Sequence, residues 1–224
     1  MIYFLIICSL IIISNSQSVE KYYEVQKGWH YTSLLPFYGF NNETELFSWI
    51  KLDNSSSNYL FANNDEKGHL CTTSWNKLFG TNRCNNYFDN HQDSDRFVWR
   101  RNQKCVIFNG VYSIGEKYEC DESGLIELAA YAYDKSEKPF LNQGRLLKEF
   151  KTKIKVDKWY GFKLKIFMNN TIYELFDSDK YLIESLVIEH RECNITNYYK
   201  GSLSALYFGG QCPAPKTVSA CYKN

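Results

Sequence analysis

Alternation of apolar and polar residues dominates the second half of the chain. From Phe150 to Val156 (FKTKIKV) three lysines occupy every second position, and from Tyr160 to Ile166 apolar residues alternate with glycine and lysine. Successive side chains of a β-strand point to opposite faces, so this period predicts strands with one buried face. The polar turn Met168-Asn169-Asn170, followed by TIYELF, predicts a hairpin.

Further strand candidates recur at a spacing of roughly ten residues. They are residues 97–99, 106–112, 125–133, 186–188 and 204–208. The third of these could instead be helical, because ELAAYAY contains helix-forming residues. Many short strands with few helical patterns predict an all-β fold, namely a disulfide-stapled jelly roll or concanavalin-like sandwich.

The amino terminus predicts secretion. Residues 1–13 are apolar apart from one serine and one cysteine, a run too short for the roughly 20 residues that span a bilayer. Small residues at Ser14 and Ser16 suit cleavage near Gln17. We therefore expect a signal peptide over residues 1–16 and a single extracellular β-sandwich domain over residues 17–224; a buried strand or an uncleaved anchor is the alternative. No later segment is apolar enough to span a membrane.

Cysteines and glycosylation sequons agree with an oxidising compartment. Of eight cysteines, Cys8 belongs to the signal and seven remain, so most should pair and one is left over. Proximity in sequence suggests Cys71–Cys84, Cys105–Cys120 and Cys212–Cys221, although spacing alone does not determine connectivity. Four N-x-[ST] sequons predict glycosylation at Asn42, Asn54, Asn169 and Asn194.

The charge balance argues against several classes of partner. The formal net charge is +1, from 26 basic and 25 acidic residues, and there is no basic run. This balance argues against a nucleic-acid footprint and against a polybasic membrane patch. No histidine or cysteine pair has zinc spacing, so neither a metal nor another cofactor is expected. Aromatic residues make up 17% of the chain; they suit strands and can also stack on sugars, as Trp29-His30-Tyr31 could, although burial of Trp29 is favoured.

Several segments occur together in a recognisable order. NKLFG at residues 76–80 precedes SDRFVWR at 94–100, then DKWY at 157–160, and finally GSLSALYFGG at 201–210, with prolines and Tyr222 beyond. Together they resemble polysaccharide lyases of the alginate and glucuronan type. Those enzymes are β-jelly rolls with a G-K-L-P-G segment, an F-S-x-R-x-x-W-R strand, a strand opening with Trp-Tyr and a late F-F-G-G segment. The order of the four segments, taken together, carries the resemblance.

The resemblance implies site residues one by one. In that family a lysine, the serine and arginine of S-x-R, and two tyrosines of a Y-x-Y strand line the sugar groove. Matched by position, the first three are Lys77, Ser94 and Arg96, to which the resemblance assigns catalytic roles.

The tyrosine pair does not lie where the resemblance predicts it. The strand expected after Trp99-Arg100 holds Phe108-Asn109-Gly110. The nearest tyrosine, Tyr112, is therefore the candidate for the catalytic role. The remaining candidates, assigned to substrate binding, are Arg100 and Tyr118.

The chemistry implied by the resemblance is β-elimination from an acidic polysaccharide. Such an enzyme removes the proton at C5, next to the carboxylate, and expels the glycosidic oxygen at C4. Arginine or lysine can neutralise the carboxylate, a tyrosine or lysine can act as base, and a tyrosine can protonate the leaving oxygen. Strand alternation places Ser94, Arg96 and Val98 on one face, where the polar groups could line a groove.

Other functions compete with this hypothesis. The same groove could bind a glycan without cleaving it, or the sandwich could be purely structural, with Arg96 on an ordinary solvated face. A hydrolase triad around His91 and Ser94 lacks a nucleophile elbow. Asp121-Glu122 and Asp177–Asp179 could supply carboxylates for glycoside hydrolysis, but acidic residues are common in turns.

Overall fold

Two antiparallel sheets account for most of the structure. The computed structural model describes residues 20–32, 37–59, 71, 73–87, 92–102, 108–109, 113–114, 124–134, 145–192, 200–209 and 212–223. Besides strands, these residues contain a 3-10 helix at Asn54–Ser56, which the Asp53 side chain caps by accepting a hydrogen bond from the backbone of Ser55. In this part of the chain no helix is both long and apolar enough to cross a membrane.

The first sheet, sheet I, has six strands in the order β1-β15-β3-β11-β12-β13. Its strands are β1 (Lys21–Val25), β3 (Glu45–Leu52), β11 (Tyr160–Ile166), β12 (Asn170–Phe176), β13 (Leu182–Glu189) and β15 (Val218–Lys223). The hairpin predicted from the turn at Met168-Asn169-Asn170 is confirmed, because β11 and β12 pair in antiparallel register. The predicted buried set of β11, which alternates from Tyr160 to Ile166, also points into the core.

The second sheet, sheet II, has the order β10-β8-β5-β4-β14-β2, with β9 also paired to β8. Its strands are β2 (Phe37–Asn41), β4 (Asn76–Asn82), β5 (Ser94–Arg101), β8 (Leu125–Tyr133), β9 (Arg145–Glu149), β10 (Ile154–Lys155) and β14 (Gly201–Ser204). A separate two-stranded pair consists of β6 (Phe108–Asn109) and β7 (Ser113–Ile114).

Aromatic side chains from both sheets meet in the space between them. The ring centroid of Phe97 on β5 lies 5.1 Å from that of Phe162 on β11 and 5.3 Å from that of Tyr173 on β12. All three are fully buried in one hydrophobic cluster that draws on both sheets. The predicted fold class, an all-β jelly-roll sandwich, is therefore confirmed.

Strand β8 resolves the ambiguity between helix and strand at residues 125–133. It pairs with β5 on one side and with β9 and β10 on the other, so its backbone is held in a ladder at both edges. Its alanines allow close packing on both faces, and Ala129 and Ala130 are fully buried. Tertiary pairing here outweighs the helix propensity of the segment.

The predicted strand from Phe150 to Val156 is shorter than its pattern indicates. Only Ile154–Lys155 forms a strand. The carboxylate of Glu184 accepts hydrogen bonds from the backbone N–H groups of Lys151 and Thr152, at 3.0 and 2.9 Å. The Glu184 carboxylate thus occupies backbone N–H groups that would otherwise donate to a neighbouring strand. Phe150 and Ile154 are nevertheless buried, as the alternation predicted.

The disulfide suggestions Cys71–Cys84 and Cys212–Cys221 were wrong. Cys71 is bonded to Cys212, 141 residues later, while Cys84 belongs to another disulfide and Cys221 is free. Cys212 is buried, whereas Cys221 lies between the core-facing residues Ala220 and Tyr222 and so points to the outer face of sheet I. Although Cys212 and Cys221 are close in sequence, they therefore do not form a disulfide with each other.

Candidate functional site

Strand β5 separates the core from a second, smaller cluster of buried side chains. Phe97 and Trp99 belong to the core between the sheets, whereas Val98 belongs to a distinct cluster on the opposite side. Ser94 and Arg96 share the face of Val98, as strand alternation predicted. We call this surface of sheet II, which points away from the core, the site face.

A pair of tyrosines lies on the site face directly beside Arg96 and Ser94. Tyr131 on β8 is opposite Arg96, and Tyr133 is opposite Ser94. The Tyr131 hydroxyl donates a hydrogen bond of 3.2 Å to the Tyr133 hydroxyl, and the ring centroids are 5.1 Å apart. Both side chains are largely buried.

These tyrosines are a second candidate for the Y-x-Y pair, one that the sequence analysis did not name. In the sheet β5 pairs with β4 and β8, whereas β6 and β7, the described strands that follow β5 in the chain, pair with each other. The available signal was the Y-A-Y at the end of ELAAYAY, which sequence reasoning treated only as a strand or helix. The earlier candidates Tyr112 and Tyr118 lie outside the described residues.

Lys77 reaches the same cluster from strand β4. A bulge between Lys77 and Phe79 lets Leu78 and Phe79 both face the core and leaves Lys77 on the site face. Its ammonium lies 5.4 Å from the ring centroid of Tyr133 and 5.0 Å from that of Tyr207. Cations over aromatic faces are stabilised electrostatically, and Lys77 remains partly exposed.

Arg96 lies beneath these side chains rather than in solvent. Only 1% of it is exposed, so the alternative of a solvated strand residue is wrong. Its guanidinium donates to Ser204 Oγ and, at 2.6 Å, to Asn82 Oδ1. The side chain passes over Gly80, where an added Cβ would meet Arg96 Cα and Cγ at 2.8 Å. Burial lowers the pKa of Arg96 to about 10, and interaction with Tyr133 opposes this, so Arg96 stays charged at neutral pH.

A buried ionic group supports the tyrosine strand from the core side. Arg83 Nε lies 2.6 Å from Asp95 Oδ2, and both side chains are fully buried. Arg83 also donates to the backbone carbonyl of Tyr133 at 2.9 Å. The Tyr173 hydroxyl donates to Asp95 Oδ1 and to the carbonyl of Tyr131, at 3.1 and 3.2 Å. Burial, followed by the charge of Asp95, raises the pKa of Tyr173 well above its usual value, so Tyr173 remains a donor.

Arg100, the predicted substrate-binding arginine, is separated from this cluster. It lies four residues beyond Arg96, roughly 13 Å along the strand. Its guanidinium stacks 4.1 Å from the ring centroid of Trp75 and pairs with Glu127 at 2.8 Å and Glu149 at 3.4 Å. Two carboxylates therefore already offset its charge.

The other chemical candidates lie apart from the site face or outside the described residues. The Asp177 carboxylate accepts hydrogen bonds from the backbone N–H groups of Asp179 and Tyr181, so it stabilises a turn. His190 contacts Thr171 through Nε2, and burial lowers the pKa of this histidine. Asp121-Glu122 and His91 are not described. Among described residues no group of three or more potential metal ligands occurs.

Three of the predicted glycosylation sites are accessible. Asn42, Asn54 and Asn169 are exposed, and Asn169 lies in the turn between β11 and β12, whereas Asn194 lies outside the described residues.

The expectation that Trp29 is buried was wrong, because 64% of it is exposed.

Comparison with known proteins assigns no family to this chain. No protein-family model matches the chain, and no curated protein matches it in sequence. Among solved structures it is similar to the alginate lyase from Klebsiella pneumoniae, with a TM-score of 0.49 and 8% identity over 83% of this chain. The chain spans 58% of that lyase.

Two similar structures are glycoside hydrolases of family 16 from Bacteroides ovatus. One, from a mixed-linkage glucan PUL and in complex with a product, has a TM-score of 0.38 and 11% identity. The other, an endo-glucanase, has a TM-score of 0.37 and 9% identity; each comparison covers 91% of this chain and 79% of the other. Because the TM-scores are below 0.5 and the identities are 8 to 11%, these likenesses carry no functional argument, and function must be argued from the site.

Proposed function

We propose that this protein is a secreted lyase that cleaves an acidic, uronate-containing polysaccharide by β-elimination. The observation that carries the proposal is the arrangement of Lys77, Arg96, Tyr131 and Tyr133 on one face of sheet II, with the two phenols hydrogen-bonded at 3.2 Å. Two positively charged side chains, which complement a uronate carboxylate, lie beside two phenols that can transfer protons. This combination suits elimination next to a carboxylate.

In the proposed reaction Lys77, the accessible cation, binds the carboxylate of the uronate. Tyr133, as a phenolate, accepts the proton from C5. The electrons of the C–H bond form a double bond between C4 and C5, and the C4–O bond breaks. Tyr131 gives its proton to the leaving oxygen, so the pair ends with one proton moved between its members and no cofactor consumed.

Arg96 has a supporting role in this scheme. It is buried and bonded to Ser204 and Asn82, so it positions charge below the tyrosines instead of reaching the substrate. A fixed positive charge in a poorly solvated place stabilises negative charge that develops nearby. Ser94 lies opposite Tyr133 and is also fully buried, which favours a structural part in the same site.

A second candidate function is glycan binding without cleavage. It is favoured by the burial of the tyrosine pair, of which only 7% and 4% is exposed, because a buried phenol has restricted access to a sugar. Such a module would use Lys77 and neighbouring aromatic rings to hold an acidic glycan.

The deciding experiment incubates the purified protein with alginate, glucuronan and other uronate polysaccharides. Ultraviolet absorbance of the C4–C5 double bond reports elimination. We expect Tyr133→Phe to lower turnover by at least about 10²-fold, the scale of losing general acid–base catalysis. Tyr181→Phe, at a side chain that is 73% exposed beside β13, is the matched control and should retain full activity.

One outcome would reject the lyase assignment, and another would reject only the role given to Tyr133. Binding of a uronate polysaccharide without unsaturated product would establish the binding module in its place. Full activity of Tyr133→Phe, alongside an active wild type, would remove Tyr133 from the mechanism.

Secretion is part of the proposal. It is supported by the apolar run of residues 1–13, by the Cys71–Cys212 disulfide and by the exposure of three sequon asparagines. Disulfides persist in oxidising compartments, where N-glycosylation also takes place.

A further inference from the structure

The N-terminal segment around Tyr31 is fastened to sheet II beside Lys77. The backbone N–H of Phe208 donates to the carbonyl of His30 at 2.9 Å, and Tyr31 forms an antiparallel bridge with Tyr207. Tyr207 and Lys77 exchange two backbone hydrogen bonds of 2.9 Å. Directly opposed residues of antiparallel strands point to the same face. Lys77, Tyr207 and Tyr31 therefore lie side by side on the site face.

Three aromatic rings pack together at this end of the site face. The ring centroid of Tyr207 is 5.1 Å from that of Tyr31, edge to face, and 5.6 Å from that of His30, stacked. His30 Nδ1 lies 2.9 Å from the carbonyl oxygen of Phe208, which holds the imidazole in place. These are favourable aromatic geometries, so the ring of Tyr31 rests on an ordered support.

Tyr31 nevertheless remains accessible. Its side chain is 45% exposed, and Trp29, two residues earlier, is 64% exposed. An exposed aromatic ring gains free energy when an apolar surface covers it, and the hydroxyl of tyrosine can still form a hydrogen bond at its edge. The C–H face of a pyranose ring is such a surface, and its hydroxyl groups are such partners.

We propose that Tyr31, supported by Tyr207 and His30, is a stacking subsite for the sugar unit next to the uronate that Lys77 binds. The inference rests on the proposed function and extends it to the path of the polysaccharide. Neighbouring strands lie about 4.8 Å apart, so Tyr31 lies roughly 10 Å from Lys77 across the sheet. The glycan therefore crosses the strands, from the tyrosine pair on β8, over Lys77, to Tyr31.

The test measures binding of alginate and of glucuronan by titration calorimetry, in a Tyr133→Phe background where turnover is suppressed. We expect Tyr31→Ala to weaken binding about 3- to 10-fold, the scale of one aromatic contact. Tyr31→Trp should retain the affinity, because it keeps an aromatic face. Tyr22→Ala removes a tyrosine that is 61% exposed on sheet I and should leave binding unchanged.

In the active protein the same contact should affect KM and not kcat, because Tyr31 lies away from the reacting atoms. Melting temperatures confirm that each variant folds. If Tyr31→Ala is unstable, Tyr31→Leu gives the same test, since it keeps bulk without an aromatic face.

The outcomes distinguish this subsite from the lyase assignment. If the wild type cleaves but Tyr31→Ala binds with unchanged affinity, the subsite is rejected and the lyase remains. If nothing is cleaved but binding depends on an aromatic residue at position 31, the subsite stands and the lyase is rejected. If the wild type binds neither polysaccharide, the subsite has no ligand of the proposed class and fails.

Discussion

Charged side chains on the outer faces of the two sheets differ in their burial and in their partners. On sheet I, Lys163 pairs with Glu45 at 2.7 Å and Lys165 with Glu174 at 2.8 Å, and these side chains keep partial contact with solvent. On sheet II, Arg96 is fully buried and bonded to the neutral side chains of Ser204 and Asn82.

The difference shows in the burial along the strands. Strand β12 alternates regularly between buried and half-buried residues, whereas the first six residues of β5 are all buried. Keeping a guanidinium out of water is costly unless it is well bonded. The buried, hydrogen-bonded guanidinium of Arg96 is therefore what distinguishes the candidate site face of sheet II from the partly solvated outer face of sheet I.

The largest expected effect is on stability, at the buried ion pair of sheet II. Asp95→Ala would leave Arg83 buried without its carboxylate, so we expect a loss of about 3–5 kcal/mol in the free energy of unfolding, measured in urea. Glu45→Ala breaks the exposed pair with Lys163 on sheet I and should cost less than about 1 kcal/mol. Equal losses for the two variants would contradict the contrast between the sheets.

The second largest expected effect is on turnover, and it should differ between a cation removed from sheet II and a cation removed from sheet I. Arg96→Ala should slow turnover by roughly 10²-fold, because it removes fixed positive charge beneath the tyrosine pair. Lys163→Ala removes a cation from sheet I and should leave turnover unchanged; initial rates on the cleaved polysaccharide compare the two. If the protein only binds glycans, Arg96→Ala should instead weaken affinity. If Arg96→Ala folds and changes neither turnover nor affinity, the role of Arg96 is limited to packing.

The smallest expected effect compares one glycine from each sheet. An added Cβ at Gly80 would collide with the carbonyl oxygen of Asp95 and with Arg96, so Gly80→Ala should cost about 1–3 kcal/mol and also lower activity. At Gly161 the nearest atoms are 3.0 Å away on the Phe47 ring and 3.1 Å away on Phe176.

Because the Phe47 ring can turn aside, Gly161→Ala should stay within about 1 kcal/mol of the wild type. Thermal unfolding and initial rates of both variants provide the measurements. A Gly80→Ala protein with native stability and activity would show that Arg96 does not need its present path over β4.

Local patterns were enough for parts of the fold and of the site. The alternation from Tyr160 to Ile166 predicted both the strand and its buried face, since neighbouring residues of a strand point in opposite directions whatever the fold. The same rule placed Ser94 and Arg96 together. The resemblance to polysaccharide lyases supplied Lys77, which the structure brings to within 5.4 Å of the Tyr133 ring centroid.

Prediction was weaker where a residue's partner is distant in the chain. The tyrosine pair was sought directly after Trp99-Arg100, yet Tyr131 and Tyr133 lie beside Arg96 because β8 pairs with β5. Cys71 was matched with a nearby cysteine, yet it is bonded to Cys212.

The sequence by itself therefore determined the all-β class, the alternating faces and the residue types available for chemistry. Tertiary structure decided which faces met, which strands became neighbours, and that Arg96 would be buried instead of solvated. The physical reason is that strand alternation is set by the local backbone. Register and burial, in contrast, depend on packing between segments that only the folded chain brings together.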